Sequence, residues 1–141
     1  MFELLYTSIA PTGLSEAELN DILEKARIKN NNISITGMML YHDREIMQIL
    51  EGEKNIVLDL FQTIFEDSRH TSVDVFYKGE IKERSFSHWS MAFKSLDEHA
   101  IQLITDNYEG TDVLTSPINK LKASNNRGIK TFLSLRDNFF S

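Results

Sequence analysis

Ile33-Ser34-Ile35-Thr36-Gly37-Met38-Met39-Leu40-Tyr41, then His42-Asp43-Arg44, then Glu45-Ile46-Met47-Gln48-Ile49-Leu50-Glu51 follow one another without a break. The outer pieces are apolar runs of strand length, and the polar triplet between them is short enough for a hairpin connection. Large apolar groups fall on both parities of these runs, so both faces of the resulting sheet need cover. Gln48 is the exception, a polar side chain in the middle of the second run. Its amide carries two donor hydrogens and an acceptor oxygen. Burying such a group without partners costs about 1–3 kcal/mol. A backbone group, another side chain or a bound polar ring must therefore meet it inside.

Upstream, Phe2, Leu4 and Tyr6 alternate with Glu3, Leu5 and Thr7, the period of an opening strand. Pro11-Thr12-Gly13 breaks it. Ser15 with Glu18 is a capping-box signature, and Leu19, Ile22, Leu23 and Ala26 recur at helical spacing up to Asn30-Asn31-Asn32. Downstream, Val57, Leu60, Phe61, Ile64 and Phe65 trace a second amphipathic helix. Two further strands are predicted, at about 72–78 and 86–93, the second placing Trp89, Met91 and Phe93 on one face. The order β-α-β-β-α-β-β predicts an α+β, ferredoxin-like fold: a five-stranded mixed sheet with two helices on one face. Ser95 with Glu98, and Ser116-Pro117, start short helices in the tail, which is expected to form a helical C-terminal cap on the other face or against another subunit. The expected division is thus 1–94 and 95–141.

At 141 residues, with 41% hydrophobic and 26% charged, the chain suits a single core. The absence of cysteine excludes disulfides, thiolate nucleophiles and cysteine-based zinc sites. His42, His70, His88 and His99 have no metal-ligand spacing, so no metal site is expected. A net charge of −6 without a dense Lys/Arg cluster opposes nucleic acid and anionic membranes as partners. No apolar run approaches the roughly 20 residues that span a bilayer. The start, Met1-Phe2-Glu3-Leu4-Leu5-Tyr6, lacks signal-peptide features, so the expected location is cytoplasmic.

In the predicted topology the first and third strands are neighbours, so Tyr6 can supply the hydroxyl that a buried Gln48 needs. From the residues alone, a structural Tyr–Gln hydrogen bond remains an equal reading. Likewise Trp89 and Met91 can be plain core, Asn30 a turn residue, and His70 beside Arg69 a helix C-terminal charge.

Asn30, Ile35-Thr36-Gly37, Leu40-Tyr41, Gln48-Ile49-Leu50-Glu51-Gly52, Asp67-Ser68-Arg69-His70 and Arg84-Ser85-Phe86 with Trp89-Ser90-Met91 together resemble the blue-light-using flavin (BLUF) photoreceptor family, over residues 2–94. The resemblance implies a photosensor, not an enzyme, holding a flavin between the two helices: FAD, with FMN and riboflavin as alternatives. It makes Tyr6 the light-driven electron and proton donor and Gln48 the switching amide. Asn30 and Lys29 would bind the ring's carbonyl edge, and Asp67, Arg69 and His70 the far side of the ring and the ribityl tail. Trp89 and Met91 would report the switch, and Ser8 matches a position that hydrogen-bonds the Trp. Ile46 departs from a usual aromatic residue, Ser34 from a common glycine, and Thr63 from a basic residue near the flavin tail, which leaves the choice of flavin open. The 47 residues after 94 are too short for a cyclase or phosphodiesterase domain, so output is expected through an unknown partner protein or a homo-oligomer. An acylphosphatase-type enzyme lacks its Arg and Asn phosphate loop at Pro11-Thr12-Gly13-Leu14. RNA binding on the sheet face is opposed by charge and by the expected helical cover.

Overall fold

The opening strand β1 (Phe2–Ile9) leads into α1 (Glu16–Asn32), the hairpin β2 (Thr36–His42) and β3 (Glu45–Gly52), then α2 (Lys54–Phe65), β4 (Thr71–Glu80) and β5 (Ala92–Ser95). The computed structural model describes residues 1–95 and, beyond them, Leu133 and Asp137. The chain divides into two compact units, 1–94 and 95–141. The predicted tail helices and cap lie outside the described residues, apart from Ser95, which ends β5.

One sheet is formed in the order β4-β1-β3-β2-β5, the expected ferredoxin-like βαββαββ arrangement. β1 and β3 are antiparallel centre strands with Tyr6 opposite Gln48 and Glu3 opposite Glu51. Side chains alternate between faces along a strand. The even-numbered residues Phe2, Leu4, Tyr6, Ile46 and Leu50 therefore join Leu19 and Leu23 of α1 and Val57 and Leu60 of α2 in one core. The opposite face carries Leu5, Met38, Leu40, Met47 and Ile49, all buried as the two-sided apolar pattern requires.

Local chemistry sets the boundaries. Ser15 and Glu18 form the predicted reciprocal capping box, and Glu53 caps α2 through the N–H groups of Asn55 and Ile56. Asp43 and Arg44 take φ of 42° and 73°, the double left-handed geometry of a tight hairpin turn. β2 begins later than its apolar run suggested. Ile33 is the C-cap of α1, and Ser34 sits at φ 57°, so the chain is still turning there. A left-handed position of this kind is one that glycine adopts without strain.

The larger correction concerns residues 86–91. Only Ala92–Ser95 form the last strand, so Trp89 and Met91 are not strand neighbours sharing a face. The N–H groups of Ser85 and Phe86 go to the Glu51 carboxylate at 2.7 and 2.9 Å, and Trp89 N–H turns back to the Phe86 carbonyl at 3.0 Å. With those donors engaged, the ladder starts later. Met91 is buried while Trp89 is half-buried.

Candidate functional site

Between α1 and α2 a cleft of about 230 Å³ opens down to the sheet. Its floor is Tyr6, Met39, Ile46, Gln48 and Leu50; Leu23, Ala26, Lys29 and Asn30 come from α1, and Leu60, Thr63 and Ile64 from α2. Met91, Asp67, Arg69 and His70 also line it. The walls are largely apolar, with a few polar atoms at defined points, as in sites for small planar ligands.

Tyr6 donates its hydroxyl to Gln48 Oε1 at the base, and Gln48 Nε2 donates to Met91 Sδ at 3.2 Å. The cross-strand register brings the first pair together, and both residues are buried. Tyr6 also packs against Phe61, with ring centroids 5.5 Å apart. A thioether is a weak acceptor, so the amide is held firmly at its oxygen and loosely at its nitrogen.

Burial pushes the Tyr6 phenol well above its ordinary pKa, and the negative charge of Asp67 pushes it further. An ordinary tyrosine ionises near about pH 10. Because the folded value is raised, this contribution to stability is complete below about pH 10 and is lost as pH rises through the folded pKa. The unfolding free energy of the wild type is expected to fall with pH above about 10 more steeply than that of Tyr6→Phe. Urea titrations of both proteins across that range check it, and parallel slopes would place the effect on another group.

Asn30 is buried, and its Nδ2 donates to the Ser90 carbonyl at 2.8 Å, leaving Oδ1 without a partner among the described residues. Its neighbour Lys29 lines the same cleft. At the rim, Arg69 binds Asp67 through Nε and Nη2, and that hydrogen-bonded guanidinium holds the Asp67 carboxyl down at about 2. His70 Nε2 meets the Ile64 carbonyl, so it must be the donor there, and in the neutral ring Nδ1 then accepts from Ser8 Oγ at 2.9 Å. Ser8 thus engages His70 at the end of β1.

Eight of the ten expected site residues line this cleft: Tyr6, Gln48, Met91, Asn30, Lys29, Asp67, Arg69 and His70. Trp89 and Ser8 lie outside it. Arg27 was missed, and it donates from Nε to the Met91 carbonyl at 2.9 Å. Nothing in its exposed helical position signals that role.

A flavin ring fits these residues. Gln48 has a second amide N–H not used by Met91, and Asn30 Oδ1 has no partner among the described residues, so the cleft offers both a donor and an acceptor to a carbonyl and imide edge. Among the described residues no group of His, Asp or Glu is arranged to hold a metal ion, and no helix is long and apolar enough to cross a membrane.

The family model described as BLUF, sensors of blue-light using FAD, matches residues 1–92. The photoactivated adenylate cyclase subunit beta of Euglena longa is 35% identical over 89 residues, 62% of this chain. The chain spans about 10% of that relative's length. Among solved structures, the photo-activated state of BlsA superposes with a TM-score of 0.77 at 29% identity, covering 94% of this chain and 91% of BlsA. A bacterial light-regulated adenylyl cyclase superposes with a TM-score of 0.66 at 32% identity, covering 74% of this chain and 31% of the cyclase.

Proposed function

The chain belongs to the BLUF family of blue-light sensors, a photoreceptor and not an enzyme, and from that premise we propose that Tyr6, Gln48 and Met91 form its switch. The observation that carries this reading is the continuous hydrogen-bonded line Tyr6–Gln48–Met91 along the cleft floor. FAD, FMN or riboflavin, when bound, supplies blue-light absorption and an excited electron acceptor. Gln48 and Asn30 hold the ring's polar edge; Lys29, Asp67, Arg69 and His70 face the rest of the ligand.

Tyr6 is the electron donor, and its neutrality in the dark follows from its raised pKa. An oxidised phenol is far more acidic than a neutral one, so its proton leaves along the existing bond to Gln48 Oε1. An amide that takes and returns a proton there can rotate or tautomerise. Rotation turns the acceptor oxygen toward Met91, and tautomerisation leaves the nitrogen one hydrogen and a lone pair; a thioether has no proton to give to an acceptor facing it. The weak Gln48–Met91 bond is then lost, which frees Met91 to move, and Trp89 two residues earlier moves with it.

The cleft walls exclude water from this exchange, since Tyr6 and Gln48 are both buried. Output passes to a separate partner protein or through self-association; the cyclase relatives illustrate one kind of effector attached to such a sensor. Absorption spectra of the purified protein, in darkness and just after blue light, test the reading. A flavin band that shifts to the red and recovers in the dark is expected. A bound flavin whose spectrum ignores light would overturn it.

A further inference from the structure

Three residues beyond Gln48, the same strand β3 carries Glu51 on the opposite face, and its side chain is fully buried. A buried carboxylate needs strong partners. Glu51 has three: Thr36 Oγ1 at 2.9 Å, Phe86 N at 2.9 Å and Ser85 N at 2.7 Å. Arg84 reinforces the group, donating from Nη1 to Thr36 Oγ1 at 2.9 Å and to the Glu51 carbonyl at 3.2 Å, and from Nη2 to the Ser34 carbonyl at 2.7 Å. None of these residues lines the cleft.

The segment from Ser85 to Met91 is therefore gripped by β3 at both ends, by opposite faces of the strand. At its start the grip is a carboxylate on two backbone N–H groups, a charge-assisted arrangement about twice as strong as a neutral pair. At its end the grip is an amide on a thioether, the weakest bond in the set. Along the way, Gly37 N–H holds the Trp89 carbonyl at 3.2 Å and Asn30 holds that of Ser90 at 2.8 Å. The Met91 carbonyl is held as well, by Arg27 Nε at 2.9 Å, and β5 begins at Ala92, so the backbone of the segment is fixed at both ends and only the Met91 side chain is held weakly.

We propose that Glu51 is a positioning residue of the switch: its carboxylate anchors the start of the Ser85–Met91 segment and so sets how easily that segment yields when Gln48 releases the Met91 side chain. This rests on the photosensor reading. Without that anchor, the segment would reach and leave its displaced arrangement over a lower barrier. Glu51 touches neither Tyr6 nor the cleft, so the spectral change itself should survive its substitution.

Glu51→Gln keeps the shape of the side chain, but its amide NH₂ faces one of the N–H donors. We expect the variant to bind flavin and shift under light like the wild type, with dark recovery faster by about tenfold, the scale of one lost charge-assisted hydrogen bond. In flavin-free protein, amide exchange should quicken at Ser85 and Phe86 and not at Leu5 or Ile49. Faster exchange at Ser85 and Phe86 with unchanged recovery would overturn the proposal, leaving Glu51 a purely structural anchor. If Glu51→Gln does not fold, Thr36→Val removes one donor and leaves the carboxylate in place; it should speed recovery in the same direction, and unchanged recovery overturns the proposal there too. A wild type that shows no light-induced shift would instead defeat the photosensor reading beneath it.

Discussion

Tyr6→Phe and Gln48→Leu are each expected to retain flavin and to lose the light-induced red shift entirely. Either substitution cuts the line Tyr6–Gln48–Met91 at the point where the proton must pass. Neither changes the apolar walls supplied by Leu23, Ala26, Leu60 and Ile64, so binding should persist. The stabilities provide a second check. Tyr6→Phe leaves a buried Gln48 oxygen without its donor, and Gln48→Leu leaves a buried Tyr6 hydroxyl without its acceptor. Each should cost about 1–3 kcal/mol, because the desolvated group is left unpaired. The double variant removes both polar groups and should be less destabilised than the sum of the singles. Absorption spectra and urea melts of the four proteins measure all of this. A normal red shift in either single variant would remove that residue from the switch, and additive stabilities would mean that the two groups are not each other's partners.

Much of this site was legible because buried polarity demands an explanation. A glutamine inside Ile46-Met47-Gln48-Ile49-Leu50 had to find a partner, and the antiparallel register supplies Tyr6. The same reasoning applies to Glu51 at the end of that run, a charge whose burial demands donors even more strongly. In the sequence it stands at the end of an apolar run, with no local sign that it organises the loop before β5. The Ser15–Glu18 capping box and the helix stripes are local signals, and local signals are what a sequence displays.

The segment 86–93 misled for a related reason. Alternation of Trp89, Met91 and Phe93 describes an extended chain, but whether that chain pairs depends on where its N–H groups go. A side chain 35 residues away takes the Phe86 donor. Ser8 shows the same dependence: its position on β1 was readable, whereas its partner His70, 62 residues on, was set by how the turn after α2 places the ring. Non-local side-chain-to-backbone bonds leave no periodicity to find.

Gly37→Ala is expected to be the most damaging single-methyl change in the described fold. A Cβ at Gly37 would lie 2.0 Å from the backbone oxygen of Ile49, far inside van der Waals contact. That oxygen belongs to β3, a central strand paired on both sides, so it cannot turn aside as a flexible side chain could. β2 and β3 must separate, and with them the Gly37–Leu50 register that leads to Gln48. The Gly37 N–H that holds the Trp89 carbonyl would be displaced as well. The cost should reach about 3 kcal/mol or more, the upper end for overpacking. Gly52→Ala is the control. Its Cβ would meet Ile35 Cδ1 at 2.7 Å, the end of a side chain, and the Ser34 carbonyl at 3.2 Å, contacts that small adjustments relieve. It should therefore cost about 1 kcal/mol. Chemical denaturation of both variants decides the matter: equal losses would mean that the β2–β3 spacing yields as readily as a rotamer, and the close backbone approach would then not be what requires glycine at 37.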